Sequence, residues 1–357
     1  MPNAMSGVYL TGHGGPDKLE YRTDIPVPRP GPEEVVVRIA AAGVNNTDIN
    51  TRLGWYSPTV TGATEDAAKQ GSNVESGGWG GALQFPRIQG GDFCGTVAAV
   101  GEGVTSVRPG TRVTAALCIP RPTPENPKGL IVIGSEFDGA FAEYCLLDAA
   151  DLHDVTASPL TDVEIAAIPC AYGTAEGLLT RAELAAGESV LITGASGGVG
   201  MAAVQLACLR DAEVTAVTSL SKAEAVRSAG ARTILTRDGT PPEQAFDVVI
   251  DVVGGPGFPD LIRALKPGGR YAVSGAIAGP IVQTDLRDIY LKDLTVLGST
   301  YQPPEVFARI VELMNSGQIR PLVSRTYPLS KIAEAQEDFQ SKRFPGKLVL
   351  IPTEDET

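Results

Sequence analysis

Histidine is almost absent from this chain, with His13 and His153 the only two in 357 residues, and cysteine is scarce, with Cys94, Cys118, Cys145, Cys170 and Cys208. The five cysteines form no C-x-x-C pair and their number is odd. That excludes a disulfide framework and indicates a reducing compartment, the cytoplasm. Two histidines this far apart make no metal-ligand pair; each reads as a surface or capping residue. Long apolar runs are missing as well. No stretch approaches the roughly 20 residues of a membrane-spanning helix, and none has the charged, apolar and small-residue order of a signal peptide. Basic residues are in deficit, 29 Lys and Arg against 42 Asp and Glu, for a formal net charge of −13. Such a surface excludes nucleic acid and anionic membrane as partners.

What remains is a globular composition, 43% hydrophobic and 20% charged, on a chain long enough for two domains. The first 150 or so residues carry short β-branched runs punctuated by Gly and Pro, such as Val35-Val36-Val37 and Gly95-Thr96-Val97. They predict an irregular, largely antiparallel β domain. From about residue 162 strands alternate with helices, at 189–193, 213–217, 233–235, 248–251, 270–273 and 295–297. Alternation of this kind predicts a doubly wound parallel sheet, giving an α/β chain. A helix after Pro303 and a closing strand at 347–351 read as β-domain material returning. The expected domains are therefore 1–160 with 303–357, and 161–302. Residues 57–84 stand apart as a long Gly- and Ser-rich segment holding Trp79, either a surface insertion or a lid. The acidic end, 353–357, is expected to fray.

The strongest local signal is Ser189-Val-Leu-Ile-Thr-Gly-Ala-Ser-Gly-Gly-Val-Gly200. An apolar strand runs into a glycine turn, and a helical apolar pattern (Val199, Ala202, Ala203, Leu206) follows. Glycines let the backbone turn tightly and approach a pyrophosphate, which the N–H groups at the helix start then hold. Ala195 stands where the pattern usually begins with glycine, so the strand–turn–helix setting carries the assignment of Ala195, Ser196, Gly197, Gly198, Val199 and Gly200. The next strand ends in Thr218-Ser219-Leu220-Ser221-Lys222, with no carboxylate to bind the ribose hydroxyls of NAD. Hydroxyls and a lysine there accept a 2′-phosphate, so Ser219, Ser221 and Lys222 point to NADP(H). The alternative is that they cap the following helix.

Ordered landmarks span nearly the full length: Ala41-Ala-Gly-Val-Asn-Asn-Thr-Asp48, Gly90-Gly-Asp-Phe-Cys-Gly95, Val100-Gly-Glu-Gly-Val104, Asp138-Gly-Ala-Phe-Ala-Glu-Tyr144, Gly173-Thr-Ala175, Lys266-Pro-Gly-Gly-Arg270 and Gly346-Lys-Leu-Val-Leu350. With them the chain resembles the medium-chain dehydrogenase/reductase superfamily, and more narrowly its zinc-free quinone oxidoreductase (zeta-crystallin-like) branch. The resemblance implies a GroES-like β domain and a Rossmann domain with the active site in the cleft between them. It also implies a small-molecule substrate and a homodimer joined through the strand at 293–297. Where zinc-dependent members carry metal ligands, this sequence has Asn45, Gly91 and Cys170, of which only the last is a residue type that can ligate zinc. No metal is expected. By the same resemblance Thr174 lies near the nicotinamide and pyrophosphate. Ser274 and Gly275 follow a strand on the nicotinamide side. Gly298, Ser299 and Thr300 meet the carboxamide, and Lys347, with Arg343 as a second basic candidate, reaches the cofactor.

A site without a Lewis acid suits hydride transfer to an enone or quinone better than oxidation of an alcohol. Asn45, Asp48, Arg52 and Tyr56 are spaced at near-helical intervals and are the candidates for donors to the developing enolate, Tyr56 and Asn45 foremost. Asp48 and Arg52 read more readily as a structural ion pair than as groups that act on substrate. The expected function is NADPH-dependent reduction of quinones or α,β-unsaturated carbonyls. The alternatives are an alcohol dehydrogenase or enoyl-thioester reductase on the same scaffold, and a non-catalytic dinucleotide-binding protein.

Overall fold

The computed structural model describes residues 1–66 and 81–352. Trp79 and the acidic end lie outside these residues, as does half of the 57–84 segment. Chain contacts separate two units: Met1–Val60, Ala67–Cys170 and Pro303–Thr357 in the first, and Thr61–Asp66 with Ala171–Gln302 in the second. The division thus falls after Cys170, ten residues later than the sequence suggests. The reason is the short helix Asp162–Ile165, opened by a Thr161–Glu164 capping box, which packs on strands Glu34–Gly43 and Asp92–Val100 of the first unit.

The first unit is the GroES-like β domain. Its main sheet runs Leu152–Asp154, Arg112–Ala115, Asp92–Val100, Glu34–Gly43, Lys347–Ile351, Val323–Pro328, with Tyr144–Asp148 also on Glu34–Gly43. The pairing is antiparallel except between the last two strands. Val35, Val37, Ile39, Phe93, Val97, Phe141 and Leu348 fill its core. The closing strand therefore lies inside the sheet, one place in from the edge strand Val323–Pro328, and its run Leu348-Val349-Leu350 is buried on both faces.

The second unit is the Rossmann domain, a six-stranded parallel sheet in the order Thr233–Thr236, Glu213–Thr218, Ser189–Ile192, Phe246–Asp251, Leu265–Val273, Thr295–Gly298. All six expected strands form. The chain builds outward from Ser189–Ile192 on one side, then returns to build outward on the other. Strand order consequently reverses between Ser189–Ile192 and Phe246–Asp251, the position where such sheets receive ligands at their carboxyl ends.

Candidate functional site

In the second unit every loop singled out from sequence follows the carboxyl end of a parallel strand. The glycine turn leaves Ser189–Ile192 at the reversal point, and helix Gly198–Cys208 starts with no side chain capping its N-terminus. Its first N–H groups are thus left for an anion. A Cβ on Gly200 would stand 2.3 Å from the Gly194 carbonyl oxygen, so only glycine closes this turn. Gly197 is exposed, and Gly198 and Val199 are half-buried, while Ala195 and Ser196 pack inward. The turn is anchored from below. Asp251, wholly buried, accepts hydrogen bonds from Thr193 Oγ1 at 2.6 Å, Tyr271 Oη at 2.5 Å and the Val253 N–H at 2.8 Å.

After Glu213–Thr218, Ser219 and Ser221 hydroxyls lie 3.2 Å apart; Ser219 makes no side-chain cap to the turn Leu220–Lys222, and Lys222 makes none to the helix Ala223–Ser228. The capping alternative therefore does not hold for Ser219 and Lys222. Lys222 is half-buried, and its pKa is lowered first by burial and then by Arg237, which follows the neighbouring strand Thr233–Thr236. Two cations beside two hydroxyls make an anion-seeking corner. Arg237 was not among the sequence candidates; a basic residue just past the third strand of the unit was its only signal. Ser274 and Gly275 follow Leu265–Val273, and Gly298, Ser299 and Thr300 close or follow Thr295–Gly298, with the Ser299 N–H bonded to Val273 O at 2.9 Å. Thr174 is half-buried on helix Pro169–Arg181.

A second cluster forms in the first unit where three strand ends meet. Antiparallel pairing sets Gly43, at the end of Glu34–Gly43, opposite Asp92, at the start of Asp92–Val100. The same Gly43 pairs with Val349, so the start of Lys347–Ile351 arrives on its other side. Lys347 is 2% exposed, and its Nζ lies 2.5 Å from Asn45 Oδ1 and 3.0 Å from Asp92 Oδ2. The other Asp92 oxygen accepts the Cys170 N–H at 2.7 Å. Lys347, expected by resemblance to reach the cofactor, thus has its ammonium tied to Asn45 and Asp92. Asn45 is 6% exposed, and its Nδ2 is a buried donor with no hydrogen-bond partner among the described residues.

The helix after Asn45 spans Asn46–Leu53 and ends at Gly54, which adopts the left-handed φ of 69°. Tyr56 therefore lies beyond the helix, and the expected four-residue face stops at Arg52. Tyr56 is half-buried, hydrogen-bonds with Thr47 and Asn50, and burial pushes its phenol up to about 12. The Asp48–Arg52 ion pair does not form either. Asp48 accepts the Asn45 N–H at 2.8 Å, whereas Arg52 donates to Gln336 Oε1 at 2.9 Å and Gly14 O at 2.6 Å. Burial pushes the Asp48 carboxyl up to about 7, with the Asn45 N–H opposing, Asp92 adding and Lys347 opposing. Of the histidines, His13 caps that helix by bonding Thr51 O at 2.9 Å, and His153 packs edge-on against Phe307 at 5.1 Å. Arg343 is exposed and paired with Asp338.

Zinc does not fit this donor set. The Asn45 and Asp92 oxygens face an ammonium, and Gly91 offers no side chain to ligate, the space a Cβ would take there being filled by Leu117 Cδ1. The Cys170 thiol is pushed well above its ordinary range, first by burial and then by Asp92. Among the described residues no three His, Cys, Asp or Glu side chains gather as a metal requires, and no helix is long and apolar enough to cross a membrane.

Residues 31–157 match the family described as alcohol dehydrogenase GroES-like domain, and residues 223–350 that described as zinc-binding dehydrogenase. A quinone oxidoreductase from Lama guanicoe is 30% identical, covering 97% of either chain. An acryloyl-coenzyme A reductase from Metallosphaera sedula is 29% identical over 97% of this chain and 99% of its own. A crystal structure of a candidate alcohol dehydrogenase from Sinorhizobium meliloti 1021 is 44% identical, with a TM-score of 0.88 over 99% of this chain and 98% of that one.

Proposed function

The chain belongs to the medium-chain dehydrogenase/reductase superfamily of oxidoreductases, in its quinone-oxidoreductase-like branch, and on that premise we propose that it uses NADP(H) to reduce the activated double bond of a quinone or α,β-unsaturated carbonyl compound without zinc. The observation that carries this reading is the buried, unpartnered amide N–H of Asn45 beside a fixed ammonium. Leaving a buried donor unmet costs about 1–3 kcal/mol, a cost that a substrate oxygen would relieve.

Bound nicotinamide supplies the hydride. The turn Thr193–Gly200 and the uncapped helix start hold the pyrophosphate, and Ser219, Ser221, Lys222 and Arg237 hold the 2′-phosphate. Asn45 Nδ2 donates to the substrate oxygen, where negative charge grows as the β-carbon is reduced. Tyr56 keeps its proton at neutral pH, so it serves as a second donor. The acryloyl-coenzyme A reductase relative favours including acyl thioesters, whose conjugated double bond needs the same donor.

Two further elements belong to this reading. Strand Thr295–Gly298 is the sheet's edge, and Val296 and Leu291 beside it are 48% and 71% exposed, which supports a homodimer formed along that edge. All five cysteines are free, which suits the cytoplasm. The test is a panel of quinones, enones, enoyl thioesters and saturated alcohols, monitored by oxidation or formation of NADPH. Turnover of quinones, enones or enoyl thioesters, lost on Asn45→Ala and weakened by Tyr56→Phe, supports the reading. Turnover of saturated alcohols alone overturns it.

A further inference from the structure

An asparagine side chain has two ends of opposite character, a carbonyl that only accepts hydrogen bonds and an amino group that only donates them. The ends are nearly equal in size, so which one meets a ligand is decided by what holds the other. At Asn45 that is Lys347. An ammonium has donors only, so the face of the amide 2.5 Å from Nζ must be the oxygen. Nδ2 is then directed away from the lysine, buried and without a partner among the described residues.

Lys347 is not free to release the amide. It is 2% exposed, its second bond reaches Asp92 Oδ2 at 3.0 Å, and it opens a strand that lies within the main sheet. Asp92 is equally fixed. Its carboxylate is wholly buried, its other oxygen holds the Cys170 N–H, and its backbone is paired with Gly43. From the opposite side the Asp48 carboxylate holds the Asn45 main-chain N–H at 2.8 Å. The Asp48 contact thus fixes the Asn45 main chain, and the Lys347 contact takes the amide oxygen.

We infer that Lys347, backed by Asp92, is a positioning residue that sets the polarity of the Asn45 amide, so that the site offers a hydrogen-bond donor and selects ligands presenting an oxygen acceptor. The inference deepens the function proposed above and rests on it in taking the acceptor to be a substrate carbonyl. It also predicts discrimination. A ligand with an amino group at that point would meet a donor with a donor, and the mismatch leaves both unsatisfied.

The experiment uses the full chain with NADPH bound and two probes, 4-nitrophenolate as an oxyanion and 4-nitroaniline as its amino counterpart, titrated by absorbance at a pH where the phenol is ionised. The variants are Asn45→Ala, Asp92→Asn/Lys347→Met, which leaves no lone buried charge, and the triple combination. Wild type should prefer the phenolate at least tenfold. Asn45→Ala and the double variant should each lose that preference to a similar extent, and the triple variant should lose no more than either. In enone reduction the double variant should lose about tenfold or more in kcat, with the NADPH dissociation constant within twofold of wild type. If Asn45→Ala keeps the preference, or the losses multiply, Lys347 acts by its charge or as scaffold and the inference is overturned. Preference without turnover of any conjugated carbonyl compound would sink the function proposed above while leaving the polarity device intact.

Discussion

Replacing Asp92 by alanine strands a charge and a backbone donor in one step. The carboxylate is wholly buried and the Lys347 side chain is 3% exposed, so little water reaches either. Depriving a buried ion of its partner costs about 3–5 kcal/mol. Holding an ordinary lysine uncharged at pH 7 costs about 4.6 kcal/mol, which caps that contribution because the ammonium can shed its proton instead. The orphaned Cys170 N–H adds about 1–3 kcal/mol. A loss of about 4–8 kcal/mol is expected, a large share of the roughly 5–15 kcal/mol that keeps a domain folded. Asp92→Ala/Lys347→Met removes both charges and should recover all but about 2 kcal/mol. Because the chain has two units, the loss should be read locally, by urea-dependent hydrogen exchange of the strand Glu34–Gly43. A single variant that loses less than about 1 kcal/mol, or a double variant no better than the single, would refute the reasoning.

Asp48 carries the opposite sign. Its folded pKa of about 7 lies above the usual 3.8, so the native state holds a proton that the unfolded state releases, and stability falls as pH rises between these values. Asp48→Asn should therefore stabilise the protein by at most about 4 kcal/mol at pH 8 and by little at pH 4; a pH-independent difference in melting would contradict this. Lys222→Ala and Arg237→Ala should each weaken NADPH binding about tenfold or more and leave NADH binding unchanged, as fluorescence titration would show. Equal effects on both nucleotides would remove these residues from the phosphate site. Gly200→Val should abolish measurable dinucleotide binding, since its Cβ would stand 2.3 Å from the Gly194 oxygen, and retained affinity would show that the turn yields. Val296→Glu should give a monomer by light scattering if the edge strand pairs between copies.

Much of this was legible in the sequence because the inner parallel strands, buried on both faces, read as short apolar runs, and the six runs from Ser189 to Gly298 all became strands. The glycine turn was equally legible, since its conformation and its chemistry ask for the same residues. Local spacing misled at Tyr56, where Gly54 ends the helix that the near-helical intervals would have carried through. It misled again at Asp48 and Arg52, four residues apart as ion pairs often are, because Asp48 is drawn to the Asn45 N–H and Arg52 to Gln336, 284 positions away. Lys347 was harder still. A lysine opening an apolar strand resembles an exposed end, and only the pairing of Gly43 with both Asp92 and Val349 reveals the ammonium it places beside Asn45.

The last strand lies between Glu34–Gly43 and Val323–Pro328, so the main sheet of the β unit has a place that its earlier residues cannot fill. During synthesis the whole parallel sheet leaves the ribosome before Lys347 is made, and it can fold first. A chain interrupted before that residue would still own a complete dinucleotide turn, yet its β sheet would lack an inner strand and its site the Lys347 ammonium bonded to Asn45. Such a fragment would hold a cofactor it has no means to use selectively. Placing the ammonium on this strand therefore makes assembly of the site wait on residues synthesised after the whole parallel sheet.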